Sequence, residues 1–289
     1  MKMFLALPIA FVAAVTPRSE QQPVFSTRTE IVRVDVLATD GGRPIVGLQV
    51  QDFEVIDSGV PQRIDRVLTE DASLEAWLLL DQSGSIRTQR GELEDAARTF
   101  LAQLSDRDRV GLITFRHGIT LHFDLSPVTQ GLKDLPTTQA EGFTSLRDAL
   151  AVALALRDSR MDRAMILMLS DGVDTMSWLS EDQLATSAAH SEAVIYPVIK
   201  TTNQGSAVAG ARYLQRLADQ TGGRVVRLED GKKLSTTFQA VLTEMKARYV
   251  LTYSPVGVSR SGWHDIRVRL TNHAGKLHAR RGYHVAGAD

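Results

Sequence analysis

Between Glu30 and Leu37 apolar side chains recur at every second position, with Val34 and Val36 on one face and Arg33 and Asp35 opposite. A period of two predicts a strand with one face buried. Short strands follow over 53–57 and 62–68, and Asp40-Gly41-Gly42 and Ser58-Gly59 supply turns. This β-rich stretch carries no helical period and is too small to bury a core of its own, so it needs a partner.

From Glu75 the pattern changes. Residues 77–80 are apolar on both faces, as in a strand buried within a parallel sheet. Leu93, Ala96, Ala97, Phe100, Leu101 and Leu104 recur at intervals of three and four, which predicts an amphipathic helix over 92–104. Further strands are expected over 109–115, 119–123, 164–169, 194–199 and 224–227, and helices over 146–156, 181–190, 207–220 and 234–246. Strands alternating with helices make a doubly wound, mostly parallel α/β sheet. A hairpin through His117-Gly118 adds an antiparallel edge.

After Lys246 the period of two returns. Strands are expected over 249–253 and 263–270, where Ile266, Val268 and Leu270 alternate with Arg267 and Arg269, and a last one over 276–284. This flank is again too small to stand alone. The economical arrangement packs the N- and C-terminal flanks into one small β-sandwich with the α/β domain inserted between them. Two separate β appendages are the alternative. The chain then divides into 1–22, 23–71 as the first part of the sandwich, 72–247 as the α/β domain, and 248–289 as the second part.

The first residues bear on location. Lys2 precedes an apolar run over 3–15, interrupted by Pro8, and Ala13 and Ala14 lead into a polar stretch over 16–22. That is the pattern of a cleaved signal peptide, with an uncleaved anchor or a mis-started gene as alternatives. No other stretch is long and apolar enough to span a bilayer. A secreted or periplasmic protein of the bacterial envelope is expected, with no membrane span after cleavage. The formal net charge of −1 gives no global field for nucleic acid. The absence of cysteine excludes disulfides, thiolate catalysis, cysteine-ligated zinc and a lipobox anchor.

Three clusters of oxygen-bearing side chains fall at expected strand ends or helix starts. Asp81, Ser83 and Ser85 follow the leucine run, Thr144 precedes the alanine-rich helix, and Ser170-Asp171-Gly172 ends the strand over 164–169. A doubly wound sheet brings the loops at the carboxyl ends of its strands to one edge. Asp81, Ser83, Ser85, Thr144 and Asp171 offer only hard oxygens, which select Mg²⁺, Mn²⁺ or Ca²⁺ over zinc or copper. Taken alone, the first cluster also reads as an ordinary polar turn.

Together these clusters resemble a von Willebrand factor type A domain with a complete metal-ion-dependent adhesion site. The Asp81-x-Ser83-x-Ser85 motif, then Thr144, then Asp171, stand in the order of that family. The resemblance covers roughly 72–247. It implies that Ser83, Ser85 and Thr144 act as hydroxyl ligands and Asp81 and Asp171 as carboxylates, often through water. Phe143 departs from it, because a second glycine is common there. The flanks, with Val46-Gly47-Leu48, 52–55 and Arg281-Gly282-Tyr283, resemble VWFA-related proteins of acidobacteria. What the resemblance implies is a cation that offers an open position to an Asp or Glu of a protein partner. It also implies a movable last helix. Here that helix, 234–246, runs directly into the strand at Tyr249, so metal occupancy would reach the β flanks.

An enzyme is the main rival, as a Mg²⁺-dependent hydrolase or phosphatase. Against it, position 83 holds Ser rather than a second acid. The chain has no Gly-x-Ser-x-Gly elbow, Walker loop or Gly-x-Gly-x-x-Gly, and the sequence places no general base. A structural envelope subunit with a purely stabilising metal is a further alternative. His264, His273, His278 and His284 match no ligand spacing and are expected as solvated strand residues. Arg260, Arg267, Arg269, Lys276, Arg280 and Arg281 are expected on the wet face of a sheet. Met176 and Trp178 form either an apolar rim or a helix cap, and Asp174 reads as a loop acid.

Overall fold

The computed structural model describes residues 31–69, 72–82, 90–127, 143–158, 163–200, 205–228 and 233–285. Its first strands are β1 (Val32–Asp40), β2 (Arg43–Pro44), β3 (Phe53–Asp57), β4 (Val60–Gln62) and β5 (Ile64–Leu68). The alternating part runs β6 (Leu74–Asp81), α1 (Arg90–Leu101), β7 (Arg109–Phe115), β8 (Ile119–Pro127), α2 (Leu146–Ala155), β9 (Arg163–Ser170), α3 (Glu181–His190), β10 (Val194–Lys200), α4 (Gly205–Thr221), β11 (Val226–Leu228) and α5 (Leu234–Lys246). The chain closes with β12 (Tyr249–Tyr253), β13 (Gly262–Leu270), β14 (Lys276–Ala279) and β15 (Gly282–Val285).

The leucine run lies in β6, near the middle of a six-stranded sheet of order β11-β10-β9-β6-β7-β8. All pairs are parallel except β7–β8. Successive β6 side chains point to opposite faces. Ala76, Leu78 and Leu80 pack with α1 and α5, through Phe100, Phe238 and Val241 among others. Trp77 and Leu79 pack with α2, α3 and α4, through Leu150, Leu184 and Leu214 among others. Both faces are covered by helices, which is why the strand is apolar without alternation. Gly111 of β7 makes room for the indole of Trp77, since a Cβ there would come within 2.3 Å of the ring.

The two flanks interleave as one sandwich. One sheet has the order β14-β1-β12-β5, with β2 on β1, and the other β15-β13-β3-β4. Strand β1 from the first flank lies between two strands of the last, so neither flank could form its sheet alone. Val34, Val36, Phe53, Val55, Leu251, Tyr253 and Ile266 fill the space between the sheets.

Three expectations on the last flank are corrected. The stretch over 276–284 is two strands, in different sheets: β14 pairs with β1 and β15 with β13. The break falls at Arg280, which is buried rather than on a wet face. Its Nε donates to the Gly282 carbonyl at 2.7 Å and its Nη2 to the Ala189 carbonyl of α3 at 2.9 Å. His264 is buried as well. Its Nδ1 lies 2.9 Å from Asp57 Oδ1, while Asp57 Oδ2 accepts from Tyr253 Oη at 2.9 Å and Tyr283 Oη at 2.8 Å. It shares the inward face of β13 with Ile266, two positions on.

The joint between sandwich and α/β part is Arg248, directly after α5. Wholly buried, its guanidinium donates to Tyr196 Oη at 3.1 Å and to the carbonyls of Asp35, Gly222 and His278 at 3.1, 2.9 and 3.1 Å. Its Nε faces Asp35 Oδ1 at 3.4 Å, in ion-pair contact without hydrogen-bond alignment. Among the described residues no helix is long and apolar enough to cross a membrane. The stretch read as a signal peptide lies outside them.

Candidate metal centre

Strands β6 and β9 run side by side with Leu80 opposite Leu169. Their next residues, Asp81 and Ser170, therefore meet at the carboxyl edge of the sheet. Ser170 Oγ donates to Asp81 Oδ2 at 2.7 Å and accepts the Gly172 amide at 3.0 Å. On its other side the Gln82 amide donates to the Phe115 carbonyl at 2.8 Å, which extends the pairing with β7 past Asp81. Asp81 is thus a carboxylate 1% exposed, held at the edge of the sheet by two strands.

Asp171 follows in a tight turn. Its Oδ1 accepts the Val173 amide at 2.9 Å, and Gly172 takes a φ of +83°, which favours glycine. Helix α4 presses on this turn through Gly210, where a Cβ would stand 1.7 Å from the Gly172 carbonyl oxygen. The glycine pair fixes how closely the helix approaches and so where Asp171 sits.

Thr144 is buried just before α2. Its amide donates to Thr175 Oγ1 at 2.9 Å, and its carbonyl accepts the amides of Thr175 and Met176 at 2.9 and 3.1 Å. The loop leaving Asp171 is stitched to α2 by two further acids. Asp174 Oδ2 accepts the Arg147 amide at 2.8 Å and Ser177 Oγ at 2.6 Å. Asp148 accepts the amides of Trp178 and Leu179 at 2.9 and 3.0 Å. Asp174 also caps an amide at the start of α2, where the helix dipole favours negative charge.

Asp81, Thr144 and Asp171 are therefore brought to one edge of the sheet by three separate elements. Ser83 and Ser85 lie outside the described residues. Among those described, no three His, Cys, Asp or Glu side chains gather in a metal-binding array. Two carboxylates and a hydroxyl are the donors this edge offers, a set that fits a hard cation and relies on neutral oxygens to complete it. Ser170, Asp148 and Asp174 support these donors through hydrogen bonds to Asp81 and to the surrounding loops. Their signal is an acid or hydroxyl within a residue or three of an expected strand end or helix start, where free amides need acceptors.

Around this edge Phe143, Met176 and Trp178 are 62%, 46% and 95% exposed. Trp178 lies outside the apolar core, and its loop is held by backbone contacts, so these side chains are presented to solvent as a rim.

The profile of the von Willebrand factor type A domain matches residues 76–173. A solved von Willebrand factor type A protein from Catenulispora acidiphila is 13% identical, with a TM-score of 0.54 over 86% of this chain and 76% of that one. Proximal thread matrix protein 1 from the mussel byssus, solved with a zinc-occupied MIDAS motif, is 16% identical, with a TM-score of 0.53 over 65% of this chain and 50% of that one. At such identities the likeness bears on the fold. No curated protein sequence matches this chain. The sheet order and its two helical layers agree with the profile match over 76–173: this part of the chain has the fold of a von Willebrand factor type A domain, framed by a β-sandwich built from both flanks.

Proposed function

We propose that this protein is an exported binding module that grips a protein partner through a divalent cation. Asp81, Ser83, Ser85, Thr144 and Asp171 would hold the ion, with Mg²⁺ as the first candidate and Mn²⁺ or Ca²⁺ as substitutes. The cation would supply an open coordination position to an Asp or Glu of the partner. The observation that carries this reading is the buried Asp81, oriented by Ser170 beside the turn of Asp171. Neutral hydroxyl donors leave part of the cation's charge for a partner's anion. The mussel protein's zinc-occupied motif supports a metal at this edge of the fold and leaves the choice of ion to experiment.

The chain's own part is to position. Strand β6 presents Asp81, the Gly172–Gly210 contact sets Asp171, and Asp148 and Asp174 fix the loop that bonds to Thr144. The exposed Phe143, Met176 and Trp178 give the partner apolar contact beside the ion. A purely stabilising metal is the second reading, favoured by the same burial of Asp81.

Calorimetric titration with Mn²⁺, on wild type and Asp81→Ala, tests the proposal. It is paired with retention of proteins from an envelope extract in Mg²⁺ or EDTA. Binding of one Mn²⁺ that is lost in Asp81→Ala, with metal-free folding unchanged and retention abolished, is expected. Collapse of Asp81→Ala before any loss of retention favours the stabilising metal. No divalent binding by the wild type overturns both.

A further inference from the structure

Beside Asp171 the ends of β10 and β11 and the outer face of α4 enclose a cavity of about 520 Å³. Lys200, Arg212, Arg216 and Arg227 line it, with Asp171 as the facing acid. Its floor is apolar, from Ile199, Ala207 and Ala211, all buried. Arg227 lies opposite Ile199 in the β10–β11 register, one position from Lys200. Arg212 and Arg216 are one helical turn apart on α4.

Arg216 lies over the Tyr213 ring at 5.8 Å from its centroid, but the charges of Arg212 and Arg227 are not explained by stability. Like charges at that helical spacing repel and weaken the helix. Arg216 has an exposed partner, Glu181, at 2.9 Å; such pairs are weak. Arg212 and Arg227 are exposed and make no ion pair among the described residues. The whole chain has a formal net charge of −1, so this positive patch is a local segregation rather than a general excess.

We infer that the cavity is an anion subsite for the side chains of an acidic protein segment. Where the proposed cation takes one carboxylate of the partner, the cavity takes the next. This link rests on the metal reading; the subsite itself does not. Glutamate suits it better than a phosphate. The cationic rim meets the carboxylate and the apolar floor meets its methylene stem, whereas a compact phosphate has no apolar part to bury. The position beside Asp171 makes the two anion sites continuous, so one acidic segment can engage both. Linking two weak contacts on one chain raises affinity without any new contact.

The probe is a fluorescent hexaglutamate peptide, followed by anisotropy in EDTA and in Mg²⁺. The proteins are wild type, Asp81→Ala and the double variant Arg212→Gln/Arg227→Gln. Both arginines are exposed, and a thermal melt checks that the double variant is folded. In EDTA the wild type should bind the peptide in a salt-dependent manner, and the double variant roughly tenfold or more weakly. Its Mn²⁺ affinity should stay within about twofold of wild type, since neither arginine is a ligand. Mg²⁺ should tighten peptide binding in wild type and not in Asp81→Ala. Equal binding of the peptide by wild type and the double variant, or no binding by wild type in EDTA, overturns the subsite. So does inorganic phosphate displacing the peptide at concentrations where free glutamate has no effect, which would make this a phosphate site. Peptide binding in EDTA with no Mn²⁺ binding sinks the metal reading and leaves the subsite standing.

Discussion

Ser170 Oγ donates a 2.7 Å hydrogen bond to Asp81 Oδ2, joining the last residues of the two central strands. The same oxygen accepts the Gly172 amide, so one hydroxyl sets both the carboxylate and the turn that carries Asp171. Ser170→Ala removes both of these buried hydrogen bonds. It should cost about 1–3 kcal/mol, read by urea unfolding. If the proposed ion sits here, Mn²⁺ affinity should fall by roughly 10–100-fold, as it does when the groups that orient metal ligands are removed. An unchanged affinity would separate Ser170 from the site.

Arg248 ties β1, β10 and β14 together from the end of α5. Burial pushes the Asp35 carboxyl above its ordinary range even with Arg248 beside it. Arg248→Ala would strand that acid and three carbonyls, at a cost of about 3–5 kcal/mol. Because the contacts cross between sandwich and sheet, the wild type should unfold in one transition by far-UV circular dichroism and by tryptophan emission. Trp77 and Trp263 report the two parts. Separate transitions in the wild type would show that Arg248 does not couple them.

The layered sheet was legible because 77–80 is apolar on both faces and the helices around it keep a period of 3.6. The interleaving of the flanks was legible only as an economy argument, since strand pairing between residues some 200 apart leaves no local pattern. His264 and Arg280 are polar by type yet buried, for a common reason: their partners, Asp57 for one and the carbonyls of Ala189 and Gly282 for the other, are distant or backbone groups that leave no local pattern. Asp81, Thr144 and Asp171 stood out as oxygens at strand ends and helix starts. That Asp148 and Asp174 stitch their loops together required seeing which amides lay within reach.

Stability should fall as pH drops from 7.5 to 5.5. His122 sits in β8 with Nε2 2.7 Å from Thr114 Oγ1, and burial pushes its imidazole below the ordinary 6.5. Burial does the same to His278, helped by the cations of Arg248 and Arg224 and opposed by Glu244 and Asp219. Both imidazoles bind protons less readily folded than unfolded. The folded state is therefore undisturbed above the unfolded value near 6.5 and loses stability as pH falls through it. Asp35 and Glu75, raised by burial, act in the opposite sense. The informative quantity is thus the difference between wild type and His122→Gln/His278→Gln, whose melting temperature should drop less over the same range. Parallel curves would remove both imidazoles from the account.

Trp178 is 95% exposed, so its indole makes little contact with the fold that presents it. Its amide, by contrast, donates to Asp148 at 2.9 Å, and that bond does not depend on the side chain. Trp178→Ala should therefore shift folding stability by no more than about 0.5 kcal/mol. A tryptophan serving as a binding anchor behaves differently, since removing one typically costs about 2 kcal/mol or more, near thirtyfold in affinity. The expected signature is unchanged urea unfolding and unchanged Mn²⁺ binding, with Mg²⁺-dependent retention of the envelope partner largely lost. Retention equal to wild type would take the aromatic rim out of the binding surface and leave the cation and the basic cavity as its only contacts.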